Sequence, residues 1–212
     1  MVNEDKLKYF DLYARAEPTR MLYAVAGQPL QDVRVSFKDW PAMKNAQPLG
    51  QMPVLECAAG TLVMSNSIAR YVAKRFGLSG KTAWEEALND MVVEMCIDCY
   101  EDIAQKIYYW QIFKRQPEPD NSDMIKREIK ERIMMSLKFI EALADKRGTK
   151  FIVCNQISLA DVWLYSFLEF GLAAFPELMD VTLWVKAFVE RVRNTAEMQS
   201  YLATRPASPI GV

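Results

Sequence analysis

The feature that most limits how this chain can fold is a change of pattern near residue 80. Before it, short strand-like and helix-like runs alternate; after it, nearly everything follows helical periodicity. Lys6 to Asp11 reads as a strand. Glu17-Pro18 suits the first turn of a helix that Gly27 would stop. Asp32 to Phe37 alternates as a second strand, with Val33, Val35 and Phe37 on one face, and a short irregular segment runs from Trp40 to Ala46. Pro53 to Glu56 and Thr61 to Met64 have the pattern of a hairpin. Ser65 to Phe76 is helical, with Gly77 as its stop, and Gly80-Lys81-Thr82 is a brief connector.

Trp84 to about Lys114 reads as one long amphipathic helix, which Gln116 to Asn121 breaks. In the next helix Ile125, Ile129, Ile133, Leu137, Ile140 and Ala144 recur at steps of three and four, the spacing of a buried face. A third helix opens at Ile157-Ser158-Leu159-Ala160-Asp161-Val162. There Ser158 and Asp161 form a capping box, and Ile157 and Val162 stand where a hydrophobic staple would close over it. The expected fold class is therefore α/β plus all-α: a small α/β domain over residues 1–79 and an all-helical domain over 83–212.

Composition excludes several functions. With 26 basic and 27 acidic residues the net charge is −1, so nothing draws the whole chain to nucleic acid or to an anionic membrane. Charges recur too often for a membrane span. The polar start through Lys6 lacks an apolar leader core, so a cytoplasmic protein is expected. In that setting Cys57, Cys96, Cys99 and Cys154 are expected to be free thiols. Cys96 and Cys99 spell C-x-x-C, but they fall inside a helical pattern rather than at a helix start, where a redox thiolate needs to be. The chain has no histidine. That removes every Ser-His-Asp triad, Cys-His pair and His-ligated metal, and leaves proton chemistry to Tyr, Asp, Glu, Lys or Cys.

The segment from Tyr9 to Glu17, Tyr-Phe-Asp-Leu-Tyr-Ala-Arg-Ala-Glu, resembles the first strand and loop of the sigma-class glutathione transferases, a class that includes helminth enzymes and glutathione-dependent prostaglandin D synthases. Asp39 to Lys44 resembles that family's second-helix motif, Gly50 to Leu55 its cis-proline segment, and Ser65 to Tyr71 the start of its third helix. Ile157 to Asp161 resembles the folding motif of its sixth helix. The resemblance spans nearly the whole chain. It implies a thioredoxin-like N-terminal domain, an all-helical C-terminal domain and a homodimer.

It also implies a chemistry. A free thiol with a pKa of about 8.5 is only a few per cent thiolate at neutral pH, so an enzyme that uses a bound thiol must stabilise its anion. Strand propensity alone would have Tyr9 simply pack; the resemblance implies that its hydroxyl donates to the glutathione sulfur. Arg15 would add positive potential beside that sulfur, or pair with Glu17. Phe10 adjoins Tyr9 in the same motif. Trp40 and Lys44 match positions at the glycyl end, where a lysine suits a carboxylate. Gly50 and Gln51 complete the loop before Met52-Pro53, whose cis peptide would turn the Met52 backbone toward the cysteinyl residue. Ser65, as the start of a helix, would meet the γ-glutamyl carboxylate. Met64 stands where the family has Gln, so one amide contact is lost. Asp98 matches an aspartate that reaches across the dimer to the glutamyl ammonium.

Leu12, Tyr13, Tyr100 and Trp163 are expected to line the pocket of a small hydrophobic electrophile between the domains, core packing being their alternative role. Glu94 and Asp98 recur from an acidic cluster that binds a divalent cation in some relatives, but Ile97 replaces a further carboxylate, and no metal is expected. The implied activity is addition of glutathione, as co-substrate, to electrophiles. Prostaglandin H to D isomerisation and a non-catalytic carrier or structural role are the alternatives. Thiol-disulfide exchange lacks a cysteine near Tyr9 or Arg15.

Overall fold

The structure, a computed structural model, describes residues 4–208. The expected domain ranges begin and end outside these, at residues 1–3 and 209–212. Strand β1, Lys6–Phe10, alternates as its sequence does: Leu7 and Tyr9 are buried, while Lys6, Lys8 and Phe10 are half-buried. Helix α1, Glu17–Val25, has Pro18 in its first turn, and Gly27 follows it at φ +61°. Strand β2, Gln31–Val35, then pairs parallel to β1, as a strand-helix-strand crossover requires.

The second strand stops two residues earlier than its alternation suggests. Ser36 Oγ donates to Asp39 Oδ2 at 2.6 Å and accepts from the Asp39 N–H at 3.1 Å, which turns the chain out of the sheet. The segment expected to be irregular contains a short helix α2, Trp40–Met43, and a 3₁₀ turn, Lys44–Ala46. Strands β3, Val54–Cys57, and β4, Gly60–Val63, form the expected hairpin. The sheet order is β2-β1-β3-β4, so β1 is internal: it pairs with β2 along its length and with β3 over Lys6–Lys8. Helix α3, Ser65–Arg75, ends before Gly77 at φ +72° and packs beside α1.

The helical part begins with α4, Ala83–Ile103, whose N-cap Thr82 accepts the Glu85 N–H. Here the expectation of one unbroken helix to Lys114 fails. The chain widens into a π-helical turn, Ala104–Tyr108, continues briefly as α5, Tyr109–Gln111, and leaves the helix before Lys114, which lies at φ +51°. The wider turn buries Ile103, Ile107, Tyr108 and Trp110, and the Tyr108 hydroxyl donates to the Phe170 carbonyl. Helix α6, Ser122–Arg147, buries Ile129, Ile133, Leu137, Ile140 and Ala144, the stripe read from sequence. Helix α7, Leu159–Gly171, is buried on almost every side and packs mainly against α4. Helices α8, Leu183–Arg193, and α9, Ala196–Thr204, complete the order.

The chain divides into two units. One is Ser79–Val192; the other runs through Leu78 and also takes in the chain from Arg193 onward. The sequence-based division placed those last residues in the helical domain. They join the first unit because α9 packs on α1. The expected free thiols are free: Cys57, Cys96, Cys99 and Cys154 form no disulfide. Burial pushes the Cys96 thiol well up and the Cys99 thiol up to about 11, so the C-x-x-C pair holds its protons.

Asp161 anchors the start of α7 from full burial. Its carboxylate accepts the Ser158 N–H at 2.9 Å, the Ser158 hydroxyl at 2.7 Å and the Ile152 N–H at 3.0 Å, completing the capping box. Burial nevertheless pushes the carboxyl up to about 6. Asp161→Ala leaves two buried N–H donors unmet and should destabilise the fold by about 2–4 kcal/mol in urea unfolding. A raised folded-state value means the native protein binds the extra proton, so this stabilisation is full below about pH 4 and declines through pH 6. The loss in the variant should therefore be larger at pH 4 than at pH 7.

Candidate active site

Tyr9 lies one residue before the end of β1, opposite Arg34 on β2, and is 5% exposed. Phe10 packs edge-on against it at 5.6 Å between ring centroids. Phe10 also stacks on Phe37 at 5.0 Å and meets Trp40 edge-on at 5.2 Å. The otherwise exposed Phe37 thus serves to hold the ring next to Tyr9. After β1 the chain passes Leu12, which is buried, and Tyr13, half-buried, into the 3₁₀ turn Ala14–Ala16, entered at φ +36° by Ala14. This turn carries Arg15.

Sequence reasoning did not identify what holds the turn. Glu17 and Arg20 are 1% and 2% exposed, and Arg20 Nη1 reaches Glu17 Oε2 at 3.2 Å. The same nitrogen donates to the Leu12 carbonyl at 2.7 Å and the Tyr13 carbonyl at 3.4 Å, and Nε donates to Asp32 Oδ1 at 3.0 Å. The guanidinium carbon stands 5.8 Å from the Tyr9 ring centroid. From α9, the Tyr201 hydroxyl donates to Glu17 Oε1 at 2.8 Å, and just beyond that helix Arg205 Nη1 donates to the same oxygen at 2.9 Å. Burial and the Glu17 carboxylate push the Tyr201 phenol well above its ordinary value. Arg205 also lies 4.2 Å over the Tyr13 ring. The available signal was Glu17 and Arg20 one helical turn apart, directly after the Tyr9 motif.

The other named positions of the first unit lie on its connections. Trp40 opens α2 and Lys44 opens the 3₁₀ turn that follows. Gly50, at φ +57°, has the Lys44 side chain beside it: a Cβ there would sit 3.6 Å from Lys44 Cε. Gln51 is exposed, Met52 half-buried and Pro53 buried. The Met52–Pro53 peptide is cis. Met64, 58% exposed and at φ +70°, precedes α3, and Ser65 is buried as that helix's first residue. Among the described residues no side chain caps this helix start, so its first N–H groups keep their capacity for an acceptor.

Asp98, Tyr100 and Trp163 belong to the helical unit. Asp98 is exposed on α4. Tyr100 is stacked on Phe170 at 4.0 Å and meets Trp163 edge-on at 6.5 Å, both within that unit's core. Among the described residues no group of three or more His, Cys, Asp or Glu is placed to hold a metal ion. None of the helices there is long and apolar enough to cross a membrane.

The glutathione S-transferase N-terminal domain matches residues 5–74, and the glutathione S-transferase C-terminal domain matches residues 101–205. The chain belongs to the glutathione S-transferase family. "Probable glutathione S-transferase 7" of Caenorhabditis elegans is 30% identical to this transferase over 204 residues, 96% of this chain and 98% of that protein. A monomeric glutathione S-transferase of the hookworm Necator americanus superposes with a TM-score of 0.84 at 31% identity, covering 97% of this chain and 99% of that one. A prostaglandin synthase D of Nilaparvata lugens shares the fold, with a TM-score of 0.82 at 24% identity over 96% and 98% of the two chains. The chain is accordingly an enzyme, a glutathione transferase with glutathione as its co-substrate.

The buried carboxylate behind the turn gives a test of its architecture. Glu17→Ala would leave Arg20, Tyr201 and Arg205 without their shared acceptor and should cost about 3–5 kcal/mol in denaturant unfolding. Glu17→Gln keeps an acceptor oxygen and should cost clearly less. Equal losses in the two variants would remove the charge from this account.

Proposed function

We propose that this transferase is of the sigma type and that the Tyr9 hydroxyl holds the glutathione sulfur as a thiolate. The observation that carries this reading is the Tyr9 phenol near the end of β1, in the unit that also contains the Arg15 turn and the uncapped start of α3. The phenol donates its hydrogen bond to sulfur, the thiol proton leaves to solvent, and Arg15 adds positive potential. The thiolate then attacks an electrophilic carbon. A carbon–sulfur bond forms while a leaving group departs with its electron pair, or an activated alkene takes up a proton from solvent.

The remaining residues hold the tripeptide. Its glycyl carboxylate suits Trp40 and the Lys44 ammonium, with Gly50 and Gln51 shaping the loop beside them. The backbone N–H and C=O of Met52, just ahead of Pro53, pair with the cysteinyl backbone as an added strand would. The γ-glutamyl carboxylate sits at the N–H groups of α3 with Ser65. In a homodimer, which light scattering would detect, Asp98 of the second copy meets the glutamyl ammonium. Leu12 and Tyr13, directly after the Tyr9 strand, are the positions of this unit assigned to the electrophile. A cytoplasmic setting suits a reaction that needs reduced glutathione.

Retention on immobilised glutathione and turnover of a chromogenic aryl halide test the activity. Tyr9→Phe should lower kcat by about a hundredfold, the scale of a lost oxyanion donor, and leave the KM for glutathione nearly unchanged. Wild-type kcat in that variant would remove Tyr9 from its role. Prostaglandin H, converted with glutathione regenerated, is the discriminating second substrate: release of prostaglandin D would assign isomerisation as well. Met64→Gln should lower the KM for glutathione by about fivefold, the effect of about 1 kcal/mol from one added hydrogen bond. An unchanged KM would show that position 64 does not meet the tripeptide.

A further inference from the structure

Arg20 has an arrangement that holding the turn does not account for. A guanidinium offers five N–H donors in one plane. Nη1 is occupied by the Leu12 and Tyr13 carbonyls and Glu17, and Nε by Asp32. Nη2 is buried and has no hydrogen-bond partner among the described residues. A buried, unmet charged donor is costly, and a neighbour that attracts the cation offsets part of that cost. The neighbour that can do so is the Tyr9 ring, 5.8 Å from the guanidinium carbon to its centroid, within the reach of a cation–π contact.

The charges around it are balanced. Glu17 on α1 is shared with Arg205, which follows α9. Asp32 on β2 is shared with Arg34, which also reaches Asp11. Each anion beside Arg20 therefore has a second cation of its own. Both anions meet the rim of the guanidinium through its N–H groups, and the aromatic ring receives a cation whose counter-charges are divided. A cation over a phenol draws electron density from the ring and strengthens its hydroxyl as a donor.

We propose that Arg20 is a positioning residue for thiol activation: it holds the Leu12–Tyr13 carbonyls and sets a buried cation over the Tyr9 ring, so that the phenol becomes a stronger donor to the glutathione sulfur. The proposal rests on the role given to Tyr9 above. It differs from the role given to Arg15 in that the Arg20 cation acts on the thiol through the Tyr9 ring rather than from beside the sulfur.

The test is the apparent pKa of the enzyme-bound glutathione thiol, read from the ultraviolet absorbance of the thiolate as pH is varied. Arg20→Gln removes the cation and keeps an amide donor for the Leu12 carbonyl. If the unpaired Glu17 prevents that variant from folding, Glu17→Gln/Arg20→Met removes both charges together, with Glu17→Gln alone as its control. The neutral variants should raise the bound-thiol pKa by about half to one pH unit, while Arg20→Lys, which keeps the charge, stays close to wild type. In a Tyr9→Phe background the same Arg20 substitution should add no further shift, because its effect passes through the phenol.

An unshifted thiol in a folded, glutathione-binding neutral variant would overturn the proposal. So would an equal shift with and without the Tyr9 hydroxyl, or an Arg20→Lys shift as large as that of the neutral variants. Should Tyr9→Phe itself leave the thiol pKa unchanged, the role of Tyr9 fails, and this proposal fails with it. A shift from Tyr9→Phe but none from the Arg20 variants would defeat the Arg20 proposal alone.

Discussion

The first unit depends on one buried carboxylate. Glu17 stands at the first turn of α1, where the helix dipole favours an anion, yet it is almost wholly removed from water. Desolvation on that scale is offset only by close donors on both carboxylate oxygens. Arg20, Tyr201 and Arg205 supply them. Each partner fixes something else in turn. Arg20 fixes the carbonyls of the turn after β1; Tyr201 and Arg205 fix α9 against α1. The turn that carries Arg15 and the strand that carries Tyr9 are thus held from behind by charge, and from the side by the Phe10, Phe37 and Trp40 rings.

The helical unit solves a related problem with a different side chain. Helix α7 is apolar almost all round, so its ends cannot turn to water for hydrogen bonds. Asp161 gathers the Ser158 and Ile152 N–H groups, and the Asn89 side-chain oxygen accepts the Ala160 N–H at 2.9 Å from α4. Asn89 in turn donates to the Ser79 and Glu85 carbonyls. At the far end of α7 the fit is close: a Cβ on Gly171 would come within 2.8 Å of Leu178 Cδ1.

What the sequence revealed, and what it hid, follows from distance along the chain. Strand β1, the β3–β4 hairpin, the buried stripe of α6 and the Ser158–Asp161 box are local patterns, legible because period and capping act within a few residues. The early end of β2 was also local, but its signal is a side-chain turn at Ser36–Asp39 that apolar alternation does not register. The π turn at Ala104–Tyr108 escaped because a one-residue widening leaves composition unchanged. The links from Glu17 to Tyr201 and Arg205 bridge 184 and 188 residues, a pairing that no single-sequence pattern encodes. The candidate site divides the same way. Tyr9, Trp40, Pro53 and Ser65 could be named from motifs, whereas the cation over Tyr9 emerged only once α1 was folded against the sheet.

The thiols bear on the survival of such a catalyst. The family's co-substrate is a sulfur nucleophile, and the small molecules that react with it are electrophiles. Such electrophiles also attack cysteine thiolates. Cys96 and Cys99 are enclosed in the helical core, where the cost of placing an anion in an apolar medium keeps both sulfurs protonated and dull. Burial also holds the half-enclosed Cys154 in its neutral form. The medium around these three side chains thus makes them poor nucleophiles.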